Sequence, residues 1–225
     1  DVLTHAAESY TIKPYNVRPR PKDPSLRPPY IGANPIADLW SEKAIEMGGK
    51  YLRRAVLNGH DLEARTAMLL ASTFAGIGFG NAGVHIPHAM GYPVAGMVRD
   101  YLPPGYPVRE PLIPHGVSCF VNAPAAFSFT APACLERQAR AAELLGARIE
   151  GLSLTDAAMA LPKALITLMR DIGLPSGLRA LGYSDRDIPT LAEGALKQQR
   201  LLSCSPRRVG REEVERLFRE AMQYW

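Results

Sequence analysis

The 225-residue sequence predicts an all-α protein, and three observations carry that expectation. No segment alternates apolar and polar residues with period two for long, as a half-buried strand requires. Apolar residues recur instead at three- and four-residue intervals. The stretches that carry them open on Asn34, Asp61 and Ser184 and close on glycines such as Gly146 and Gly173, which are helix start and stop signals.

In chain order, Asp1 to Tyr10 is already in helical register, with Leu3 and Ala7 on one face and Asp1 and His5 on another. A helix that begins at the first residue is expected of a fragment of a longer protein. Residues 11 to 33 carry Pro14, Pro19, Pro21, Pro24, Pro28 and Pro29 among Lys13, Arg18, Arg20, Lys22 and Arg27. That proline density excludes helix and weakens strand pairing, leaving a long surface loop. A sharper reading makes it a basic cover for a site that takes acidic substrates.

Asn34-Pro35 opens the next helix, with Ile36, Leu39, Trp40, Ala44 and Ile45 as its expected buried stripe and an interruption at Gly48-Gly49. Asn58-Gly59 stops it, His60 lies exposed in the turn, and Asp61 caps a helix that runs towards Gly76. From Thr73 to Gly83 small residues dominate. No strand precedes Gly78-Phe79-Gly80-Asn81-Ala82-Gly83, so these glycines are assigned to helix packing and not to a dinucleotide. A loop through Pro103-Pro104-Gly105 and Pro107 leads to His115 at the mouth of a helix that includes Phe120 and Val121. Helices are then expected from Pro132 to Leu145 and from Leu154 to Ile172. A Ser184-capped helix carries Asp185 and Asp187 in its first turn, and a last helix from Arg211 to Tyr224 buries Val214, Leu217, Phe218 and Met222.

Composition excludes several classes of function. The apolar fraction is 47% and the charged fraction 21%, ordinary for a globular protein. Net charge is +4, with cations interspersed among acids, so neither a nucleic-acid footprint nor a membrane span is expected. Three cysteines without paired spacing argue against a disulfide framework or a cysteine-based zinc site and favour a reducing compartment. The length admits one large domain or two small ones, and a homo-oligomer is left open.

Two histidines, His85 and His88, stand in the apolar, glycine-rich stretch from Gly80 to Gly96, and each imidazole must satisfy two ring nitrogens. Asp1 and His5, four apart, project from one helical face. With His88 and His115 they make three nitrogens and one oxygen. Such a set suits Fe²⁺ or Zn²⁺ and leaves room for a substrate oxygen. On spacing alone the alternative stands: a non-catalytic helical module whose histidines are simply packed.

Three segments carry a resemblance. Asp1-Val2-Leu3-Thr4-His5-Ala6-Ala7-Glu8-Ser9-Tyr10, then Gly83-Val84-His85-Ile86-Pro87-His88-Ala89-Met90-Gly91-Tyr92-Pro93, then Pro114-His115-Gly116 resemble, in order and separation, the signatures of the iron-containing alcohol dehydrogenase family. Gly32 to Asp38, Leu62 to Arg65, Phe74 to Gly83, Gly182-Tyr183-Ser184 and Asp187-Ile188-Pro189 make the chain most similar to its hydroxyacid–oxoacid transhydrogenase branch.

The resemblance implies the C-terminal helical metal-binding domain of a dehydroquinate synthase-like fold, covering residues 1–225, with an N-terminal α/β NAD(P)-binding domain outside this chain. It implies Asp1, His5, His88 and His115 as ligands of Fe²⁺ or Zn²⁺. His85 would line the cleft or hydrogen-bond nearby. Tyr92 stands where many relatives carry a proton-relaying histidine, and a phenol, with its pKa near ~10, carries protons less readily at neutral pH.

The implied activity is metal-assisted hydride transfer from a hydroxyacid such as 4-hydroxybutyrate, through tightly bound NAD, to an oxoacid such as 2-oxoglutarate. An ordinary NAD(P)-dependent alcohol dehydrogenase is the alternative. Carboxylate substrates call for a cation, for which Lys13, Arg18, Arg27 and Arg99 are candidates. The expected compartment is the cytoplasm of a bacterium or, alternatively, the mitochondrial matrix. Without its partner domain the chain is expected to be inactive.

Overall fold

Helix α1 (Val2–Thr11) opens the chain in the computed structural model, which describes residues 1–18 and 20–225. It lies on two long helices, α2 (Pro35–Leu57) and α3 (Leu62–Ala82), joined by the Asn58–Asp61 turn. The caps form as the local chemistry requires. Asn34 Oδ1 accepts from the N–H groups of Ile36 (3.2 Å) and Ala37 (3.1 Å), and Asp61 Oδ1 accepts from Ala64 (3.0 Å).

Gly83, at φ +101°, ends α3 under the Tyr30 ring, and the chain turns through 108° into α4 (Ile86–Gly96). After the 97–114 loop come α5 (His115–Phe120), α6 (Ala123–Thr130), α7 (Leu135–Leu144), α8 (Leu154–Ala158) and α9 (Ala160–Asp171). Then α10 (Ile188–Leu196), α11 (Gln199–Leu202) and α12 (Arg211–Glu220) complete the chain. The fold is all-α. Among the described residues the only extended pairing is an isolated bridge between Pro14 and Ala33.

The core gathers where α4, α6, α9, α10 and α12 meet around Met90, Phe127, Leu165, Leu168 and Phe218, none more than 2% exposed. Each such side chain contributes roughly 1.5–3 kcal/mol by leaving water. Among the described residues no single helix is long and apolar enough to cross a membrane.

Three expectations are corrected. In α2, Ile36 and Leu39 are exposed, and the buried line is Ala37, Ser41, Ala44, Ile45 and Gly48. Close approach of α1 and α3 favours small residues there, so the larger apolar side chains turn outward. Helix α2 is also continuous through Gly48-Gly49. A Cβ on Gly48 would stand 2.3 Å from Leu3 Cδ2, and one on Gly49 3.0 Å from the backbone of Leu144 and Leu145. These glycines admit α1 and α7 instead of breaking the helix.

The stretch from Leu154 to Ile172 is two helices, not one. Pro162 cannot donate to the Ala158 carbonyl and its ring collides with it, so the chain breaks at Met159. Helix bounds elsewhere differ by a few residues: α3 runs on to Ala82, α7 starts at Leu135 and α12 ends at Glu220. The proline tract forms two short turns, Tyr15–Val17 and Pro24–Leu26, on an otherwise irregular path; Pro19 lies outside the described residues.

Candidate metal centre

Asp1, His5 and Glu8 follow one another along a single face of α1, as positions i, i+4 and i+7 must. Glu8 is fully buried against the start of α4. Its Oε1 accepts from the backbone N–H groups of His85 (2.8 Å) and His88 (3.3 Å), where a helix carries unpaired donors and partial positive charge. Its Oε2 pairs with His88 Nδ1. One carboxylate therefore caps α4 from a distant helix and orients a histidine.

That orientation leaves His88 Nε2 buried, without a hydrogen-bond partner, 3.4 Å from Asp1 Oδ1. His5 Nδ1 lies 3.5 Å from the same oxygen, and His115 Nε2 lies 4.0 Å from Asp1 Oδ2. The ring centroids of His5 and His88 are 4.4 Å apart, and those of His88 and His115 are 5.4 Å apart. Three helices thus bring together all four expected ligands. His5 also stacks on Phe79 at 3.9 Å.

A fifth group joins them. Cys119, one turn after His115 on α5, is fully buried with its Sγ 3.8 Å from His115 Nε2. The donor atoms of Asp1, His88, His115 and Cys119 all lie within 4.8 Å of one another; His5 stands beside this set but outside it. Two glycines make the approach feasible. A Cβ on Gly116 would stand 2.7 Å from the Asp1 nitrogen, and one on Gly91 2.6 Å from Cys119 Sγ.

His85 and Tyr92 take different places. His85 Nε2 is 3.3 Å from Thr11 Oγ1 and its ring meets the edge of Phe127, so it is a core residue behind the cluster. Tyr92 is 41% exposed, with its ring 5.8 Å from that of His115, at the open side.

Electrostatics follow burial and pairing. Burial drives the pKa of His5 down to about 3, with neighbouring His88 adding to the effect, and burial drives His85 down to about 4. For the Glu8–His88 pair burial opposes both charges, but mutual attraction wins, holding the Glu8 carboxyl low and the His88 imidazolium high. Burial raises the Cys119 thiol, but His115 and His88 more than offset it, so it lies below the usual thiol range.

The residues fit a divalent metal ion. A buried imidazole nitrogen with no partner faces a carboxylate, its other nitrogen fixed by an acid, which is the arrangement a metal-ligating histidine requires. Sequence reasoning missed Glu8 and Cys119. Each had a readable signal: Glu8 by the i+7 spacing from Asp1, and Cys119 by the i+4 spacing from His115.

The expected carboxylate anchors fare less well. Lys13 Nζ donates to Ser203 O (3.0 Å), Arg18 is held by Tyr30 O and Cys204, and Arg99 pairs with Asp187; Arg27 is exposed in the loop. A cleft of about 400 Å³ opens beside Asp1 and Gly116, lined mainly by apolar groups such as Leu52, Val56, Met68 and Phe120, with no basic side chain. A larger cleft of about 770 Å³, with Arg53, Arg148 and Lys163 on its walls, shares no residue with the histidine cluster.

Known proteins resemble this chain in sequence and in fold. The profile of the Fe-containing alcohol dehydrogenase family, C-terminal, matches residues 30–222. Hydroxyacid-oxoacid transhydrogenase, mitochondrial, of Xenopus tropicalis is 49% identical over 226 residues, covering 100% of this chain and 49% of that protein. The Homo sapiens protein of the same name is 46% identical, again over 100% of this chain and 48% of the relative. The chain thus spans about half the length of these curated relatives. Among solved structures, 1,3-propanediol oxidoreductase superposes with a TM-score of 0.82 at 35% identity, over 99% of this chain and 50% of that one.

Proposed function

Because the chain belongs to the Fe-containing alcohol dehydrogenase family, we propose that it is the metal-binding half of a hydroxyacid–oxoacid transhydrogenase. The proposed reaction moves hydride from a 4-hydroxybutyrate-like hydroxyacid, through tightly bound NAD, to a 2-oxoglutarate-like oxoacid. The observation that carries the metal centre is His88 Nε2, buried and unpartnered opposite Asp1. The specific activity is supported by identities of 46–49% to relatives that bear that name.

Asp1, His5, His88 and His115 are the proposed holders of the metal, Fe²⁺ or Zn²⁺. When bound, it would supply Lewis acidity to a substrate hydroxyl, lowering its pKa. NAD(P) is assigned to an α/β domain outside these residues, so the 225 residues alone are proposed to bind metal but not to turn over. With metal bound, Glu8 would keep a proton on His88 Nδ1 and leave Nε2, which faces Asp1, free to ligate. Asp1 and His115 form the exposed rim through which a hydroxyacid reaches the cluster. Tyr92, on that rim, offers a phenol to hydrogen-bond substrate or solvent. Phe79 and Phe127 exclude water from the histidines behind it. Relatives named mitochondrial support the matrix as the compartment, with the bacterial cytoplasm as the other assignment.

The second reading, an ordinary NAD(P)-dependent alcohol dehydrogenase, draws on the likeness to 1,3-propanediol oxidoreductase. One measurement separates the two. The protein joined to its NAD-binding half is given deuterated 4-hydroxybutyrate and 2-oxoglutarate without free NAD. Deuterium is expected in 2-hydroxyglutarate; a strict requirement for added NAD would favour the dehydrogenase.

A further inference from the structure

We propose that Cys119 is itself a ligand of the metal, so that the centre carries a thiolate beyond the aspartate and histidines implied by the family. This rests on the metal-centre reading above and specifies its donor set. In a tetrahedral zinc site, Zn–S of ~2.3 Å and Zn–N of ~2.0–2.1 Å place sulfur and nitrogen donors about 3.6 Å apart, and nitrogen and oxygen donors about 3.3 Å apart. Cys119 Sγ stands 3.8 Å from His115 Nε2, and His88 Nε2 stands 3.4 Å from Asp1 Oδ1. These donors are therefore already near coordination spacing, as is His5 Nδ1 at 3.5 Å from Asp1 Oδ1.

The fold is arranged around the thiol. His115 and Cys119 are i, i+4 on α5, so both reach the same point. Gly91 lets α4 come down on the cysteine, since any Cβ there would strike Sγ at 2.6 Å and Cα at 3.2 Å. A thiol kept merely as small apolar filling has no reason to stand against two imidazoles and a carboxylate. Neither of the other cysteines shares this setting: Cys134 Sγ donates to Thr130 O and Cys204 Sγ to Arg200 O.

A thiolate makes the centre softer, which shifts its preference from Fe²⁺ towards Zn²⁺ and Co²⁺. The test is to load the purified protein with Co²⁺ and record its absorption. Sulfur-to-cobalt charge transfer is expected in the near ultraviolet, alongside visible ligand-field bands. The charge-transfer band should vanish in Cys119→Ser and Cys119→Ala while ligand-field bands persist, and should be unchanged in Cys134→Ala and Cys204→Ala. Circular dichroism identifies any variant that fails to fold, and the wild-type spectrum decides in that event. Ligand-field bands without charge transfer in the wild type, or charge transfer that survives loss of Cys119, overturns the thiolate and leaves the metal centre intact. Failure to bind Co²⁺ at all overturns the metal centre on which it rests.

Discussion

Glu8 shows how a single side chain serves fold and site together. Its carboxylate is fully buried, yet both oxygens are satisfied, one by the first N–H groups of α4 and the other by His88. A ligating histidine whose second nitrogen is held in this way is both more basic and fixed in tautomer. Glu8→Gln keeps the shape but removes the charge, and with its amide oxygen on the N–H groups of α4 its NH2 is turned towards His88 Nδ1. The variant is expected to bind metal about 10–100-fold more weakly, as outer partners of metal ligands usually do. Chelator competition measures it; unchanged affinity would show that His88 needs no such partner.

Helix beginnings were legible in the sequence because a cap is a local device. Asn34 and Asp61 each accept from N–H donors within a few residues, and their helices begin beside them. Ser184, by contrast, donates to Asp187 Oδ2 and heads only the short turn Asp185–Asp187, with α10 beginning at Ile188. Asn34→Ala removes the acceptor for Ile36 and Ala37 and also the donor to Gly32 O and Asn81 Oδ1. A loss of about 1–2 kcal/mol is expected, read as a lower denaturation midpoint with unchanged slope. What the sequence hid was non-local. The buried face of α2 is set by how closely α1 and α3 approach, which displaces Ile36 and Leu39 in favour of alanine, serine and glycine. Gly48-Gly49 carries the composition of a break but the function of a contact. At the site, Asp1 and His5 announced themselves by spacing, whereas Cys119 was set aside because no second cysteine stood nearby, although a histidine did.

At the scale of the whole molecule, His85 couples stability to pH. Burial holds its folded pKa at about 4, against an unfolded value of about 6.5. Between those values the unfolded chain binds the proton more readily, so the contribution of His85 is full above pH ~6.5 and declines as pH falls towards 4. The shift corresponds to roughly 3 kcal/mol. His5 acts with the same sign, while the His88–Glu8 pair is still intact in that window. For metal-free protein, His85→Leu should flatten the dependence of unfolding free energy on pH between about 6.5 and 4 without abolishing it. A wild-type slope retained in full would mean that water reaches the imidazole.

The cluster is also asymmetric in exposure. The His88 side chain is 3% exposed, whereas those of Asp1 and His115 are 33% and 44% exposed. An ion held there has one solvent-facing side and one walled side, so it must arrive and depart past Asp1 and His115. Substitutions at these two rim groups therefore govern how fast the ion exchanges with free metal in solution. Substitutions on the walled side, at Glu8 and His88, govern how tightly it is held once in place. Exchange of the ion is thereby weighted towards the open face of one small cluster and affinity towards the walled face, with Asp1 and His115 contributing to both.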